Sequence, residues 1–309
     1  MPAQRFIARS GAMRSLVEQV RRFAQTDSNV LIAGETGTGK NAVARELHVR
    51  GPRARYPFVT IDCASLSASL IDSELFGHER GAFTDAIATR AGRFELAGAG
   101  TVYLDAVTEL PIEAPGKLLR IVEEKRVERL GGHSSFAITA RIVASGAQIE
   151  DAVRRATFRH DLFHRLRVLP LFLPPLRDRR DDVLPLATYF VSRAAAATGR
   201  TPPTITRDAT AALRDYRWPG NVRELRHVVE RACQTAGDAI TLADLPDELL
   251  EPGQAIEAVT SERPTLDEVE RRYIAATLRH VKGNQTEAAR LLGISRKALW
   301  EKRKRYGLE

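Results

Sequence analysis

The chain has 309 residues, and Lys plus Arg outnumber Asp plus Glu by 47 to 39, a formal net charge of +8. This length allows two or three domains, and the excess of basic residues favours a polyanionic partner. The two cysteines argue against a disulfide framework and predict a cytoplasmic protein. Because the sequence has no run of 18 apolar residues and its N-terminus is polar, neither a membrane span nor a secretory signal is expected.

The first predicted element is a buried strand at 29–33, followed by a glycine-rich loop and a helical pattern over 41–49. The loop has the GxxxxGK pattern, in which backbone N–H groups surround phosphate oxygens and the lysine reaches the β- and γ-phosphates. The next residue is Asn41, so the hydroxyl that usually helps to organise magnesium is missing. The predicted nucleotide site consists of Gly34, Glu35, Thr36, Gly37, Thr38, Gly39, Lys40 and Asn41.

Further apolar runs at 58–61, 101–104 and 140–145 alternate with helical patterns such as 113–124. This alternation predicts a parallel α/β sheet. The second of these runs is followed by Asp105, which is placed to hold Mg²⁺ through water. At the next position, where an ATPase needs a carboxylate to orient the attacking water, the chain has Ala106.

The pattern changes after the Pro-Pro pair at 174–175. Residues 181–250 show helical patterns and almost no strand, and the following stretch lacks periodicity, which is typical of a linker. We predict an α/β nucleotide-binding subdomain over 1–174, a helical lid subdomain over 175–250, a linker over 251–264 and a helix-turn-helix DNA-binding domain over 265–309.

The C-terminal domain has the spacing of a helix-turn-helix, whose third helix reads DNA. Ser295 is its predicted N-cap. Arg296 and Lys297 are placed to reach base edges, and the later basic residues to meet phosphates. Trp300 is expected in the core or in a dimer contact. The predicted apolar face of the first helix contains Leu266, Val269, Ile274 and Leu278. The DNA-binding candidates are Ser295, Arg296, Lys297, Lys302, Arg303, Lys304 and Arg305.

The longer motifs resemble those of the bacterial enhancer-binding proteins, the AAA+ activators that remodel sigma-54 RNA polymerase. The resemblance covers GETGTGK at 34–40, SELFGHERGAFTDA at 73–86, FRHDLFHRL at 158–166, LPPLRDRR at 173–180, WPGNVREL at 218–225 and the Fis-type segment at 283–308. It implies an α/β fold: an AAA+ parallel sheet with helices on both faces, a small all-helical lid and a C-terminal helix-turn-helix. It also implies ATP and Mg²⁺ as cofactors, a dimer-to-hexamer assembly, and palindromic DNA and sigma-54 RNA polymerase as partners.

The resemblance assigns roles to single residues. Arg159 and Arg165 would reach the γ-phosphate bound by a neighbouring subunit, Arg223 would act as the lid sensor, and Asp105 would sit at magnesium. Between the two arginines, His160 and His164 have a spacing that suits zinc on a helix, but no third ligand is evident, so surface or packing roles are expected. The implied sigma-contacting loop is Gly81, Ala82, Phe83, Thr84, Asp85 and Ala86.

Four positions depart from the family pattern. Ala106 replaces the catalytic Glu, Asp62 stands where an Asn restrains that Glu, and residues 144–147 lack the polar Thr-Asn pair of the first sensor. In the sigma-contacting loop, Asp85 replaces a glycine. We therefore hypothesise that ATP is bound but hydrolysed weakly or not at all, and the sequence leaves sigma-54 engagement open. The alternative is compensation by another carboxylate, such as Glu109.

Two other functions stay open. One is a regulator of promoters that do not use sigma-54, with ATP or another nucleotide as a ligand switch, which Asp85 and Ala106 favour. The other is an AAA+ ATPase that remodels proteins. Because the first strand-loop-helix unit begins within 35 residues, no receiver domain is expected ahead of it, and control is expected from a regulatory partner protein, from abundance or from a ligand.

Overall fold

The computed structural model describes residues 6–66, 71–83, 86–111, 114–132, 134–249, 265–281 and 283–308. Contacts divide the chain into two compact units, Met1–Pro202 with Arg217–Glu230 and Pro203–Tyr216 with Arg231–Glu309. No helix within the described ranges is long and apolar enough to cross a membrane.

A five-stranded sheet forms the centre of the first unit. Its strands are β1 Val30–Ala33, β2 Phe58–Asp62, β5 Thr101–Asp105, β8 Arg141–Gly146 and β9 Leu169–Phe172. They are all parallel and lie in the order β2-β5-β8-β1-β9, which confirms the predicted α/β sheet. Two antiparallel ribbons accompany it, β3 Gly77–His78 with β4 Arg90–Ala91 and β6 Arg126–Glu128 with β7 Ser135–Ala137.

Helices cover both faces of this sheet. Up to residue 202, the helices of the first unit are α1 Gly11–Ala24, α2 Lys40–Val49, α3 Ile71–Phe76, α4 Arg93–Ala97, α5 Ala114–Glu124, α6 Ile149–Arg154, α7 His160–Leu166 and α8 Val183–Thr198. Helices α1 and α2 pack on one face and α3 to α7 on the other. In β5, Val102 and Leu104 face the second layer while Tyr103 faces α2. Strands buried on both faces explain the continuous apolar runs of the sequence.

The helical region after the sheet contains α9 Arg207–Asp215 and α10 Asn221–Thr235. In the second unit, β10 Thr204–Ile205 pairs in parallel with β11 Ala239–Ile240. A pair of two-residue strands is too short to give a period of two in the sequence, so only the helices were predictable there.

Three C-terminal helices, α11 Leu266–His280, α12 Gln285–Leu291 and α13 Arg296–Tyr306, surround a small core. The core consists of Ile274, Ala288, Ala289 and Leu299, with Leu278 packed against it. The prediction that Leu266 belongs to the apolar face is wrong, because its side chain is 85% exposed. This residue begins α11, about two turns before Ile274, the first α11 residue of the core.

Candidate functional site

The nucleotide loop lies between β1 and α2, as predicted. Gly37 and Gly39 have φ angles of +80° and +106°, in the left-handed region that glycine tolerates best. A Cβ on Gly37 would lie 2.2 Å from the carbonyl oxygen of Gly220. The side chain of Thr38 is buried and donates to the Glu35 carbonyl at 2.7 Å. The loop is therefore held in one shape by its own backbone and by the segment that begins α10.

Lys40, the first residue of α2, folds back over the loop. Its Nζ donates to the carbonyl oxygens of Gly34 at 2.8 Å and Glu35 at 2.9 Å. Burial holds the pKa of this ammonium below its ordinary value; the charges of Asp105 and Glu35 oppose that shift, and Arg223 adds to it. The fold thus brings the predicted lysine, the predicted magnesium-binding aspartate and the predicted lid sensor into one electrostatic environment.

Asp105 ends β5 and is oriented by two hydroxyl groups. Its Oδ1 accepts from the Tyr103 hydroxyl at 2.9 Å and from Ser145 Oγ at 2.6 Å. Both bonds go to Oδ1, and Oδ2 would be the oxygen available to a metal-bound water. Magnesium in nucleotide sites is held by one or two carboxylates together with phosphates and water. The carboxylate present here fits that requirement.

Three of the four departures from the family pattern, at Asp62, Ala106 and residues 144–147, meet at the same edge of the sheet. Asp62 and Asp105 are register partners at the ends of β2 and β5. Ala106 follows with φ +56° and donates its N–H to Ser145 Oγ at 3.3 Å. Glu109, the carboxylate considered as a replacement, is exposed in the turn after β5. The position next to Asp105 therefore carries a methyl group, which can neither accept a proton nor orient a water molecule.

A second set of contacts ties the nucleotide loop to the segments that follow the sheet. Glu35 forms a two-point ion pair with Arg177, at 2.6 and 2.9 Å. Asn221 is fully buried; its Nδ2 donates to Glu35 and its Oδ1 accepts from the Leu176 N–H at 2.8 Å. The backbone N–H of Arg223 donates to the Gly37 carbonyl at 3.2 Å. The predicted site did not include Arg177 and Asn221, although both lie within the motifs at 173–180 and 218–225.

The two proposed arginine fingers lie on or beside α7 and are exposed. Arg159 precedes the helix and pairs with Asp161 at 2.6 Å, which lowers the pKa of that carboxyl to about 2. Arg165 pairs with Glu123 of α5 at 2.7 Å. Exposed ion pairs contribute little to stability because water and salt screen them, so either arginine can exchange its partner at low cost. Their action on a neighbouring subunit stays a prediction.

The histidines between them are close together. His160 Nε2 and His164 Nε2 lie 3.1 Å apart on the exposed face of α7. Among the described residues there is no group of three or more His, Cys, Asp or Glu side chains arranged to hold a metal ion.

The residues at the base of the predicted sigma-contacting loop follow α3 and β3 in the chain. The Gly81 N–H donates to the Ala86 carbonyl at 2.8 Å, and the Ala82 N–H to the Glu79 carbonyl at 3.1 Å. Phe83 is 41% exposed, with its ring 4.9 Å from that of His78. Thr84 and Asp85 lie outside the described residues.

The basic residues of the predicted DNA-reading helix differ in whether they form ion pairs within the protein. Ser295 is the N-cap of α13, as predicted, and accepts from the Ala298 N–H at 3.1 Å. Lys302 pairs with Glu270 of α11. The two residues proposed to read bases, Arg296 and Lys297, are exposed at the start of the helix.

The other basic candidates of α13 have different surroundings. Arg303 donates to the Leu308 carbonyl at 3.0 Å, and Arg305 pairs with Asp267 of α11. Trp300, which was expected in the core or in a dimer contact, does not lie in the core: it is 57% exposed, with Lys304 Nζ 5.5 Å from its ring centroid. The dimer contact stays a prediction. Leu299 occupies the buried position instead, and the next residue points about 100° further around the helix.

Three family models together match almost the whole chain. The sigma-54 interaction domain matches residues 6–172, the AAA+ ATPase lid domain 177–262, and the bacterial regulatory protein, Fis family, 265–306. These matches confirm the AAA+ fold with a lid and a C-terminal helix-turn-helix.

Full-length relatives and solved structures agree with these matches. Regulatory protein AtoC of Escherichia coli is 42% identical over 98% of this chain and 68% of its own length. DNA-binding transcriptional regulator NtrC of Escherichia coli is 38% identical over 100% of this chain and 71% of its own. The structure of NtrX from Brucella abortus in complex with ADP has a TM-score of 0.76 at 36% identity, covering 98% of this chain and 70% of that one. The NtrX complex with ATP has a TM-score of 0.73 at 34% identity, covering 98% and 69%.

Proposed function

We propose, from the premise that the chain belongs to the family of sigma-54-dependent transcriptional regulators with a Fis-type DNA-binding domain, that it binds ATP with Mg²⁺ and hydrolyses it weakly or not at all. Nucleotide binding would organise its oligomer on DNA. The structures of NtrX with ADP and with ATP support nucleotide binding by this fold.

The contrast between Asp105 and Ala106 carries this proposal. The groups that bind phosphate and magnesium are present: the loop of 34–39 is preformed, Lys40 lies over it and Asp105 is oriented by two hydroxyl groups. The group that activates water is absent, because the residue after Asp105 has no side-chain polar atom. Loss of a general base costs typically 10²–10⁴-fold in rate, whereas phosphate binding needs the loop and the lysine alone.

Assembly is proposed to place Arg159 and Arg165 at the nucleotide of the next subunit. An arginine acting in trans stabilises the charge of the phosphoryl group. Without hydrolysis, the same contact would make oligomerisation depend on bound ATP. The C-terminal helices would then be gathered on a palindromic DNA site, and the loop around Phe83 would contact sigma-54 RNA polymerase.

A second candidate function is regulation of promoters that do not use sigma-54, with the nucleotide as a ligand switch. Ala106 favours it, because a switch needs binding and release and needs no turnover. Promoter output in cells lacking sigma-54 separates the two candidates. Full activation there contradicts polymerase remodelling, and complete loss contradicts the second candidate.

The main test compares ATP affinity and turnover in the wild type, Ala106→Glu and Lys40→Ala. We expect the wild type to bind ATP with little or no turnover, Ala106→Glu to turn over faster, and Lys40→Ala to lose affinity. Turnover by the wild type at the rate of active family members would contradict weak hydrolysis. Absence of ATP affinity in the wild type would contradict the nucleotide role itself.

A further inference from the structure

We infer that Tyr103 and Ser145 are positioning residues that hold the Asp105 carboxylate in the orientation needed for a magnesium–nucleotide complex. The inference rests on the proposed binding of ATP with Mg²⁺. Tyr103 lies within an apolar strand, and Ser145 lies in the segment that lacks the family's usual polar pair.

The sheet brings the three side chains to one face. Tyr103 and Asp105 are two residues apart on β5, so they project to the same side. Ser145 lies on the neighbouring strand β8, where Leu104 and Ala144 are register partners, so it stands beside Asp105. That face is the one covered by α2, whose first residue is Lys40. The hydroxyl groups and the lysine therefore approach the site from the same layer.

Burial makes the hydroxyl groups dependent on these partners. Tyr103 and Ser145 are both 0% exposed, and a buried hydroxyl without a hydrogen bond is destabilising. The Tyr103 hydroxyl lies 2.9 Å from Asp105 Oδ1 and 2.9 Å from Ser145 Oγ. A phenylalanine would fill the same apolar space, so the added oxygen serves only this polar contact.

The protons in the network can be assigned from donor and acceptor counts. The Ala106 N–H donates to Ser145 Oγ, and the Ser145 hydroxyl donates to Asp105 Oδ1. The single Tyr103 proton is shared between Asp105 Oδ1 and Ser145 Oγ. Both hydroxyl groups therefore donate to the same carboxylate oxygen, Asp105 Oδ1.

This arrangement fixes the plane of the Asp105 carboxylate and gives its two oxygens different partners. Oδ1 accepts both hydroxyl hydrogen bonds, and Oδ2 would be the oxygen available to the cation or its water. Partners of this kind around a metal-binding carboxylate set metal affinity without touching the metal. Ser145 Oγ also accepts the Ala106 N–H, so the same serine holds the backbone that directly follows Asp105.

The test uses the full chain and measures the Mg²⁺ dependence of ATP affinity, from EDTA through a series of Mg²⁺ concentrations. A parallel titration follows Mn²⁺ bound to the protein–ATP complex by electron paramagnetic resonance. The variants are Tyr103→Phe and Ser145→Ala, with Asp105→Asn as the reference for full loss. Tyr189→Phe, on α8, is the matched control for removal of a tyrosine hydroxyl.

We expect Tyr103→Phe and Ser145→Ala each to weaken Mg²⁺ and Mn²⁺ binding by about three- to tenfold, the effect of one lost hydrogen bond. Affinity for ATP in EDTA should not change, and Tyr189→Phe should match the wild type. If Tyr103→Phe fails to fold, Ser145→Ala carries the test alone. Wild-type cation affinity in these variants, or ATP affinity of the wild type that is independent of Mg²⁺, overturns the inference and leaves ATP binding intact. Failure of the wild type to bind ATP overturns the proposed function instead.

Discussion

Glu35 of the nucleotide loop and Arg177, in the turn after the last strand of the sheet, form a two-point ion pair with distances of 2.6 and 2.9 Å. Two parallel N–H···O bonds fix the relative orientation of the planar groups as well as their distance. The pair therefore couples the shape of the loop to the segment that follows the sheet, although the two residues are separated by 142 positions in the chain.

This ion pair predicts a pH-dependent contribution to stability. The Arg177 hydrogen bonds hold the pKa of Glu35 below its ordinary value of 4.5. A lowered folded-state pKa contributes stability that is complete above the unfolded value and is lost as the pH falls through the folded value. We expect Glu35→Gln to lower the Tm most at neutral pH, with the difference from wild type shrinking below pH about 4.5.

The measurement is the Tm difference between wild type and variant across the acid range. Glu46→Gln is the control, because it breaks only a local pair with Arg50 on the surface of α2. A Tm difference for Glu35→Gln that is the same at every pH would contradict the role of this ion pair.

Asn221→Ala should destabilise the first unit by about 2–4 kcal/mol. The buried amide accepts from the Leu176 N–H and donates to the Thr36 carbonyl at 3.0 Å, and truncation leaves both groups without a partner. Asn221 also has φ +54°, a conformation that alanine adopts less readily than asparagine. Urea unfolding in a Trp300→Phe background leaves buried Trp218 as the single tryptophan reporter. Asn29→Ala, which removes one exposed hydrogen bond, should cost less than about 1 kcal/mol.

Gly37→Ala should both destabilise the loop and weaken ATP binding. The added Cβ meets the Gly220 carbonyl oxygen at 2.2 Å, and the residue must keep a positive φ. Together these effects cost about 2–4 kcal/mol. Gly11→Ala is the matched control, since its Cβ would meet nothing within 4 Å and the change should be neutral or stabilising. Equal ATP affinities and urea midpoints for the two variants would refute the proposed close approach.

The arginines near α7 predict complementation between subunits. In an Ala106→Glu background, Arg159→Ala should abolish turnover and keep ATP affinity, while Lys40→Ala should lose both. Mixed oligomers combine an intact nucleotide loop with an intact arginine across a boundary, so the mixture should hydrolyse ATP faster than either variant alone. The rate is measured against the mixing ratio. A rate equal to the sum of the separate rates would show that Arg159 does not act in trans.

The basic residues of α13 predict two classes of DNA-binding variant. One class affects residues placed to read bases, and the other affects residues placed to meet phosphates. Arg296→Ala should cost about 1–3 kcal/mol on a preferred sequence and relax base preference. Lys304→Ala should weaken all duplexes alike and reduce the salt slope by about 0.9. Lys302→Ala should mainly lower the stability of the C-terminal helices, because its ammonium pairs with Glu270. Sites selected from random duplexes, titrated at several salt concentrations, distinguish these classes; one identical profile for all three variants would contradict the division.

The sequence by itself determined the strands, loops and helix ends that can be predicted from neighbouring residues alone. The strand, loop and helix around 29–49 follow one another without a gap, so the spacing alone predicted both the loop and Lys40 at the start of α2. The apolar runs predicted β2, β5 and β8, and Ser295 was predictable as an N-cap. The absence of a carboxylate directly after Asp105, on which the proposed weak hydrolysis depends, was also visible in the sequence itself.

Only the tertiary structure decided which distant groups meet. The strand β9 was not predicted, since Pro170 weakens a strand signal; it is tolerated because β9 lies at the edge of the sheet, beside β1. The Tyr103 hydroxyl gave no signal within an apolar run, and its partner Ser145 lies 42 positions away. Periodicity reports which face of an element is buried, whereas the order of strands and the partners of buried polar groups depend on packing between segments far apart in the chain.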